Sequence, residues 1–180
     1  MKKYIILLSI ISLIPKLGLA CFSTPPEQIT PPDELIQRSK RIVLATVVSA
    51  EFIEKDYDVI YTFKVDEKLK GEVKEQFTVI GRPLIWDGEA KMFDHHKEPS
   101  FWKNQGGRLF HDTDCEIYPS FSVGATYLVF LDKPYHRKSF ELIIRTHGNP
   151  KIRDSWLSYV EQKIKNPNQN MEPMLKTPAE

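Results

Sequence analysis

The sequence predicts a mostly β fold, a small five-stranded closed barrel with a short helix before it and another after it. Three observations carry this. Five short runs rich in β-branched and aromatic residues lie between residues 41 and 145. Turn signals separate them, and no repeated helical pattern intervenes. Only two stretches have both the start and the stop signals of a helix.

The elements follow in order. Thr30-Pro31-Pro32-Asp33 has the composition of a helix start, with a Thr to cap, prolines in the first turn and an acid behind them, so a short helix is expected over Pro31–Ser39. The run 41–50 (RIVLATVVSA) reads as the first strand, dense in β-branched residues. In Asp58–Lys68, Val59, Tyr61, Phe63 and Val65 recur at every second position and face one way, which predicts a strand with one buried face. Lys70-Gly71 supplies a turn, and Glu75–Ile80 a third strand with Phe77 and Val79 on one face. Ala125–Leu131 is almost continuously apolar, as a strand covered on both faces would be, and Phe140–Arg145 is the fifth run. Asp154 stands where a helix cap should. Behind it Trp156, Val160 and Ile164 fall on one helical face until Asn166-Pro167 ends the helix. Five short strands with few helices match the oligonucleotide/oligosaccharide-binding type of barrel, a shape that does not specify function.

The ends of the chain bound its class. Residues 1–20 have the pattern of an export signal: Lys2 and Lys3, an apolar run from Tyr4 to Ile14, and Gly18-Leu19-Ala20 before the cleavage point. The apolar run is shorter than the roughly 20 residues of a spanning helix, and no second such stretch follows, so no transmembrane span is expected and the destination is periplasmic or secreted. The remaining residues from 21 onward suffice for one domain, expected over 21–165, with a disordered tail at 166–180. Setting aside Lys2, Lys3 and Lys16 of the signal leaves 22 basic and 24 acidic residues. That near balance argues against nucleic acid as a partner.

Cleavage after Ala20 would make Cys21 the mature N-terminus, and Cys115 is the only other cysteine. In an oxidising compartment their disulfide would close a loop of about 95 residues and contribute on the order of 4–5 kcal/mol. A second reading keeps Cys21 as the acylated residue of a lipid-anchored envelope protein. Against it, Gly18 stands where such proteins carry Leu, and Cys115 would be left odd.

These features together resemble the netrin-module/tissue-inhibitor-of-metalloproteinases superfamily. The resemblance rests on the mature Cys21, the strands Ile42–Val48 and Tyr61–Val65, the Lys70-Gly71 turn, and Cys115 followed by Gly124-Ala-Thr-Tyr-Leu-Val-Phe130. It covers about residues 21–145. It implies a non-catalytic domain whose N-terminal cysteine offers an α-amine and a carbonyl to the active-site zinc of a metalloprotease. Only Cys21 carries that role over. The chain opens Cys21-Phe22-Ser23 instead of Cys-x-Cys, lacks further disulfides, and carries an inserted region at 82–114.

That insertion is long for a barrel loop. Trp86, Phe93, Phe101, Trp102 and Phe110 give it an aromatic content unlike that of a disordered segment. Asp94-His95-His96 and His111-Asp112-Thr113-Asp114 give it two clusters of metal-ligating types. Two readings follow. One is a polar flap pinned by its aromatics over an end of the barrel. In the other, one of His95 and His96, which on an extended segment point to opposite sides, joins His111 and Asp112 around zinc. His136 and His147, beside the last strand, are expected to face solvent. No nucleophile constellation or phosphate loop has its local signature, and no resident cofactor is expected beyond that zinc. The function these residues point to is an exported, non-catalytic binding module presenting Cys21, Phe22, Trp86, Phe101 and Trp102 to a protein partner. The alternatives are the lipid-anchored protein and a His-based metal-dependent hydrolase.

Overall fold

The computed structural model describes residues 23–84, 95–109, 115–144 and 153–169. A 3₁₀ turn at Pro26–Gln28 leads into helix α1 (Pro32–Arg38). Strands β1 (Ile42–Ile53), β2 (Asp58–Lys70), β3 (Gln76–Gly81), β4 (Thr126–Phe130) and β5 (Phe140–Leu142) follow, then helix α2 (Ser155–Lys165). The strands form one antiparallel sheet in the order β3-β2-β1-β4-β5.

The sheet is open, and the closed barrel expected from the strand count is corrected on this point. Closure needs the outer strands β3 and β5 to pair, and they do not. The reason is visible at β5, which is three residues long and ends at Leu142 where a strand to Arg145 was expected. Ile143 adds one last bond in the same register, its N–H going to the Thr126 carbonyl at 2.9 Å, and the pairing is not continued beyond it among the described residues. Side-chain alternation reports which face of a strand is covered. It carries no information on whether two distant edges meet.

The run Ile42-Val-Leu-Ala is apolar throughout because β1 is the central strand and is covered on both faces. On one face Ile42 and Leu44, with Leu128 and Phe130 of β4, meet Leu35 and Ile36 of α1 and Trp156, Leu157 and Val160 of α2. On the other, Val43, Ala45 and Val47 join Val59, Tyr61 and Phe63, the face that alternation in β2 marked. Phe121 is the hub there, edge-on to Tyr61, Phe63, Tyr127 and Phe140 at 4.9–5.2 Å between centroids.

Local signals account for the ends of elements. Asp154 caps α2, its Oδ1 accepting the Leu157 N–H at 3.0 Å. Gly71, after β2, has φ +72°, and a Cβ there would stand 2.1 Å from the Lys40 carbonyl oxygen, so no other residue fits the turn. Thr30 does not cap α1. The helix starts one residue later, with Pro31 at the N-cap and no side-chain cap, because Pro31 and Pro32 shift the first free N–H groups beyond the Thr30 hydroxyl. The two helices are joined where Tyr159 Oη donates to Asp33 Oδ1 and Lys163 Nζ approaches Asp33 Oδ2 at 2.6 Å. None of the helices among the described residues is long and apolar enough to cross a membrane.

Asp132, just past β4, fastens the start of β1. Its Oδ2 accepts the Lys40 and Arg41 N–H groups at 2.7 and 2.9 Å, and its Oδ1 the Arg41 guanidinium at 3.1–3.2 Å. Partial burial disfavours the anion, yet these donors hold its pKa below the usual carboxylate value. Asp132→Ala is expected to cost about 1–2 kcal/mol near pH 7 in urea denaturation. A carboxylate with a depressed pKa stabilises above its unfolded value. The gap between variant and parent should therefore shrink as pH is lowered below 3.8.

Candidate functional site

Two places gather the chemistry-bearing residues, the surroundings of Cys115 and the segment 95–109 with what it packs against. Cys21, Phe22, Trp86, His111 and Asp112 lie outside the described residues, as do Phe93, Phe110 and His147.

At the first place, Cys115 has a left-handed backbone, φ 67°. Its carbonyl accepts the side-chain amide of Gln28. Gln28 is itself buried, and its carbonyl accepts the Arg137 N–H at 3.0 Å. The Arg137 guanidinium donates to Thr24 Oγ1 at 3.0 Å and to the Gln105 carbonyl at 3.0 Å. Residues 24–28, the loop after β4 and Cys115 thus hold one another. Among the described residues no cysteine is free.

At the second place, Phe101 and Trp102 are core residues, 5 % and 8 % exposed. Phe101 stands edge-on to Trp156 at 5.5 Å, and Trp102 meets Trp156 at 5.9 Å and Tyr159 at 5.1 Å. Neither displays a ring to a partner, because α2 supplies the apolar surface they need. The part of the insertion over 95–109 is a flap pinned to α2 by aromatics.

His95 and His96 both have left-handed backbones, φ 56° and 57°, so the extended alternation expected of them does not apply. His96 is 1 % exposed and lies between two carboxylates. Its Nδ1 meets Asp154 Oδ2 at 2.7 Å and its Nε2 meets Glu141 Oε2 at 3.3 Å, with both acid side chains buried as well. Burial alone would lower the imidazole pKa. The hydrogen bonds and charges of Asp154 and Glu141 outweigh it and raise the value to about 9, so the ring is an imidazolium donating on both sides. The Trp102 indole N–H closes on the His96 carbonyl at 3.0 Å and the Ser155 N–H on the His95 carbonyl at 3.0 Å.

Lys138, also fully buried, completes the charge balance. Its Nζ donates to the Lys103 and Gly106 carbonyls at 3.0 and 2.5 Å and stands 5.2 Å from the Phe101 ring centre. Burial pushes its pKa down to about 8, against the pull of Glu141. Two cations and two anions therefore sit together out of water. His136, expected in solvent, is fully buried beside them in sequence. Its Nε2 donates to the Thr30 carbonyl at 3.0 Å and its Nδ1 accepts the Lys138 N–H at 2.9 Å. Burial, then the charges of Lys138, Arg38 and Arg137, push its pKa down to about 3.

This arrangement is suited to fastening a loop. A metal ligand needs a free imidazole lone pair, and both ring nitrogens of His96 face carboxylates on opposite sides. Among the described residues no three metal-ligating side chains converge on one point. Glu141 and Asp154 were not singled out as partners of the insertion. Glu141 sits in the apolar run Phe140–Ile144, where an acid among apolar residues signals a buried charge seeking a cation, but the sequence does not say which one. No protein-family model matches the chain, and no curated protein matches it either.

Proposed function

We propose that the mature chain is an exported, non-catalytic binding module. In this reading Cys21, stapled to Cys115, presents its amine and carbonyl to a protein partner, a zinc metalloprotease being the class that this donor pair fits. The observation that carries the reading is the anchoring of the chain just after Cys21. Thr24 is held by Arg137, and Gln28 is held to the Cys115 carbonyl. A disulfide three residues before Thr24 would add to a segment already ordered, and a preorganised end loses little freedom on binding. The burial of His96 between Asp154 and Glu141 favours a structural role for that histidine over a hydrolytic one.

Two measurements test this. The exported protein should have the mass of residues 21–180 and gain two hydrogens on reduction; an added acyl mass on Cys21 would overturn it. Against a panel of zinc metalloproteases, one extra Ala ahead of Cys21 should weaken inhibition about a hundredfold or more while leaving Tm unchanged. Inhibition that survives the extension, or none by the unmodified protein, would refute chelation through the amine.

A further inference from the structure

The open side of the sheet is a second feature with consequences, independent of Cys21. The Val65 N–H bonds the Glu75 carbonyl at 2.8 Å, and Phe63↔Phe77, Tyr61↔Val79 and Val59↔Gly81 continue the same alternation. Residues 75, 77, 79 and 81 therefore point their backbone groups at β2, and Gln76, Thr78 and Ile80 point theirs away from the sheet. Among the described residues no strand pairs with that edge. The chain itself shows that the edge accepts backbone. The next outward group, the Arg82 N–H, donates to the Pro119 carbonyl at 3.0 Å. Gly81 permits that approach, since a Cβ there would stand 1.8 Å from the Pro119 oxygen. Among the described residues the covering stops at Arg82, and Ile80 is 58 % exposed.

Alongside this edge runs a groove of about 690 Å³, within the range of ligand sites. Thr62 of β2, Phe77 and Thr78 of β3, Arg41 before β1, and Leu131 and Tyr135 after β4 line it. Its charge is selective. Arg41 is tied to Asp132 and the rim acid Glu72 to Lys68. Lys74 has no ion-pair partner among the described residues and is exposed. We propose that this groove takes an extended peptide segment of another protein as a sixth strand. The segment would pair with Gln76–Ile80 over roughly 17 Å, place an apolar side chain against Phe77 and Tyr135, and set a neighbouring carboxylate by Lys74.

The probe is a pool of acetylated hexapeptides, Thr throughout except for Leu, Val or Phe at the third position and Glu at the fourth. Its effect is read on the amide spectrum of the ¹⁵N-labelled protein. Shifts should centre on Gln76, Thr78 and Ile80, with slowed exchange of the Thr78 amide. Thr78→Pro removes an outward N–H at an edge position that tolerates proline, and should weaken binding about tenfold or more. Lys74→Glu, a surface change that leaves the ladder intact, should shift the preference toward a pool with Lys at the fourth position. The proposal is overturned if the pool gives no shifts at millimolar concentration, if shifts map elsewhere, or if Lys74→Glu leaves the preference unmoved. Binding of a cello-oligosaccharide or single-stranded DNA in the groove with none by the peptides would overturn it equally.

Discussion

Replacing His96 with alanine is expected to destabilise the protein by roughly 3–5 kcal/mol, the usual cost of breaking a buried ion pair by deleting one partner. For a domain of this size that lowers Tm by about 10–15 °C. The loss has two sources. Glu141 and Asp154 would keep their charges in the interior without the imidazolium between them. The ring's contact with Phe101, 4.5 Å between centres, would leave a void beside Trp102 and Trp156. The cost is not shared equally by the acids. Asp154 retains the Leu157 N–H at the helix N-terminus, where an anion is favoured. Glu141 retains only the Arg108 N–H at 3.0 Å and the nearby Lys138 charge. Adding Glu141→Gln to His96→Ala should therefore recover about 1–2 kcal/mol, because the amide still accepts from Arg108 and carries no stranded charge. Urea denaturation of parent, single and double variants measures this. A loss below about 1 kcal/mol for His96→Ala would mean that the triad is solvated and does not fasten the flap.

The same triad shows what was legible in the sequence. Local pattern located the strands and the second helix to within a few residues, because period-2 alternation in β2 and the Asp154 cap are properties of neighbouring residues. It also marked the insertion as rich in aromatics that require burial, and in the described part, 95–109, Phe101 and Trp102 are buried. What escaped it was long-range. Glu141 and His96 are 45 residues apart, and Asp154 and His96 are 58 apart. Nothing in either neighbourhood names the partner, and the histidines were instead weighed against each other as ligands. His136 failed as a solvent-facing turn residue for the same reason. Its acceptor, the Thr30 carbonyl, lies 106 residues away. Sheet closure belongs to this class as well, since it depends on whether the distant edges β3 and β5 meet, and they do not.

The two buried histidines also predict the shape of the stability curve against pH, because their shifts have opposite sign. His96 has a folded pKa of about 9 against 6.5 unfolded. A raised pKa means that its stabilisation is complete below 6.5 and is lost as pH climbs to about 9, on the order of 3 kcal/mol in all. His136 has a folded pKa of about 3, so the unfolded chain binds a proton that the folded one refuses. Its neutral burial costs nothing above 6.5, but stability falls as pH drops from 6.5 toward 3, by on the order of 4 kcal/mol. Lys138 modifies the alkaline side. Its folded pKa of about 8, below the ordinary 10.5, makes stability rise with pH between those values. The three together place a maximum near pH 6.5, with a decline on the acid side, a decline from 6.5 to about 8 as only His96 is released, a flattening from 8 to about 9 as the Lys138 proton is lost in compensation, and a recovery above 9 where Lys138 alone still contributes. Chemical denaturation at half-unit intervals from pH 4 to 10 traces the curve. In His96→Gln the fall between 6.5 and 8 should vanish, and in His136→Gln the acid decline should flatten even where each variant is less stable at its optimum. An acid limb that persists unchanged in His136→Gln would overturn its assignment to that histidine, and Asp132 could not replace it there, because its contribution is lost only below 3.8.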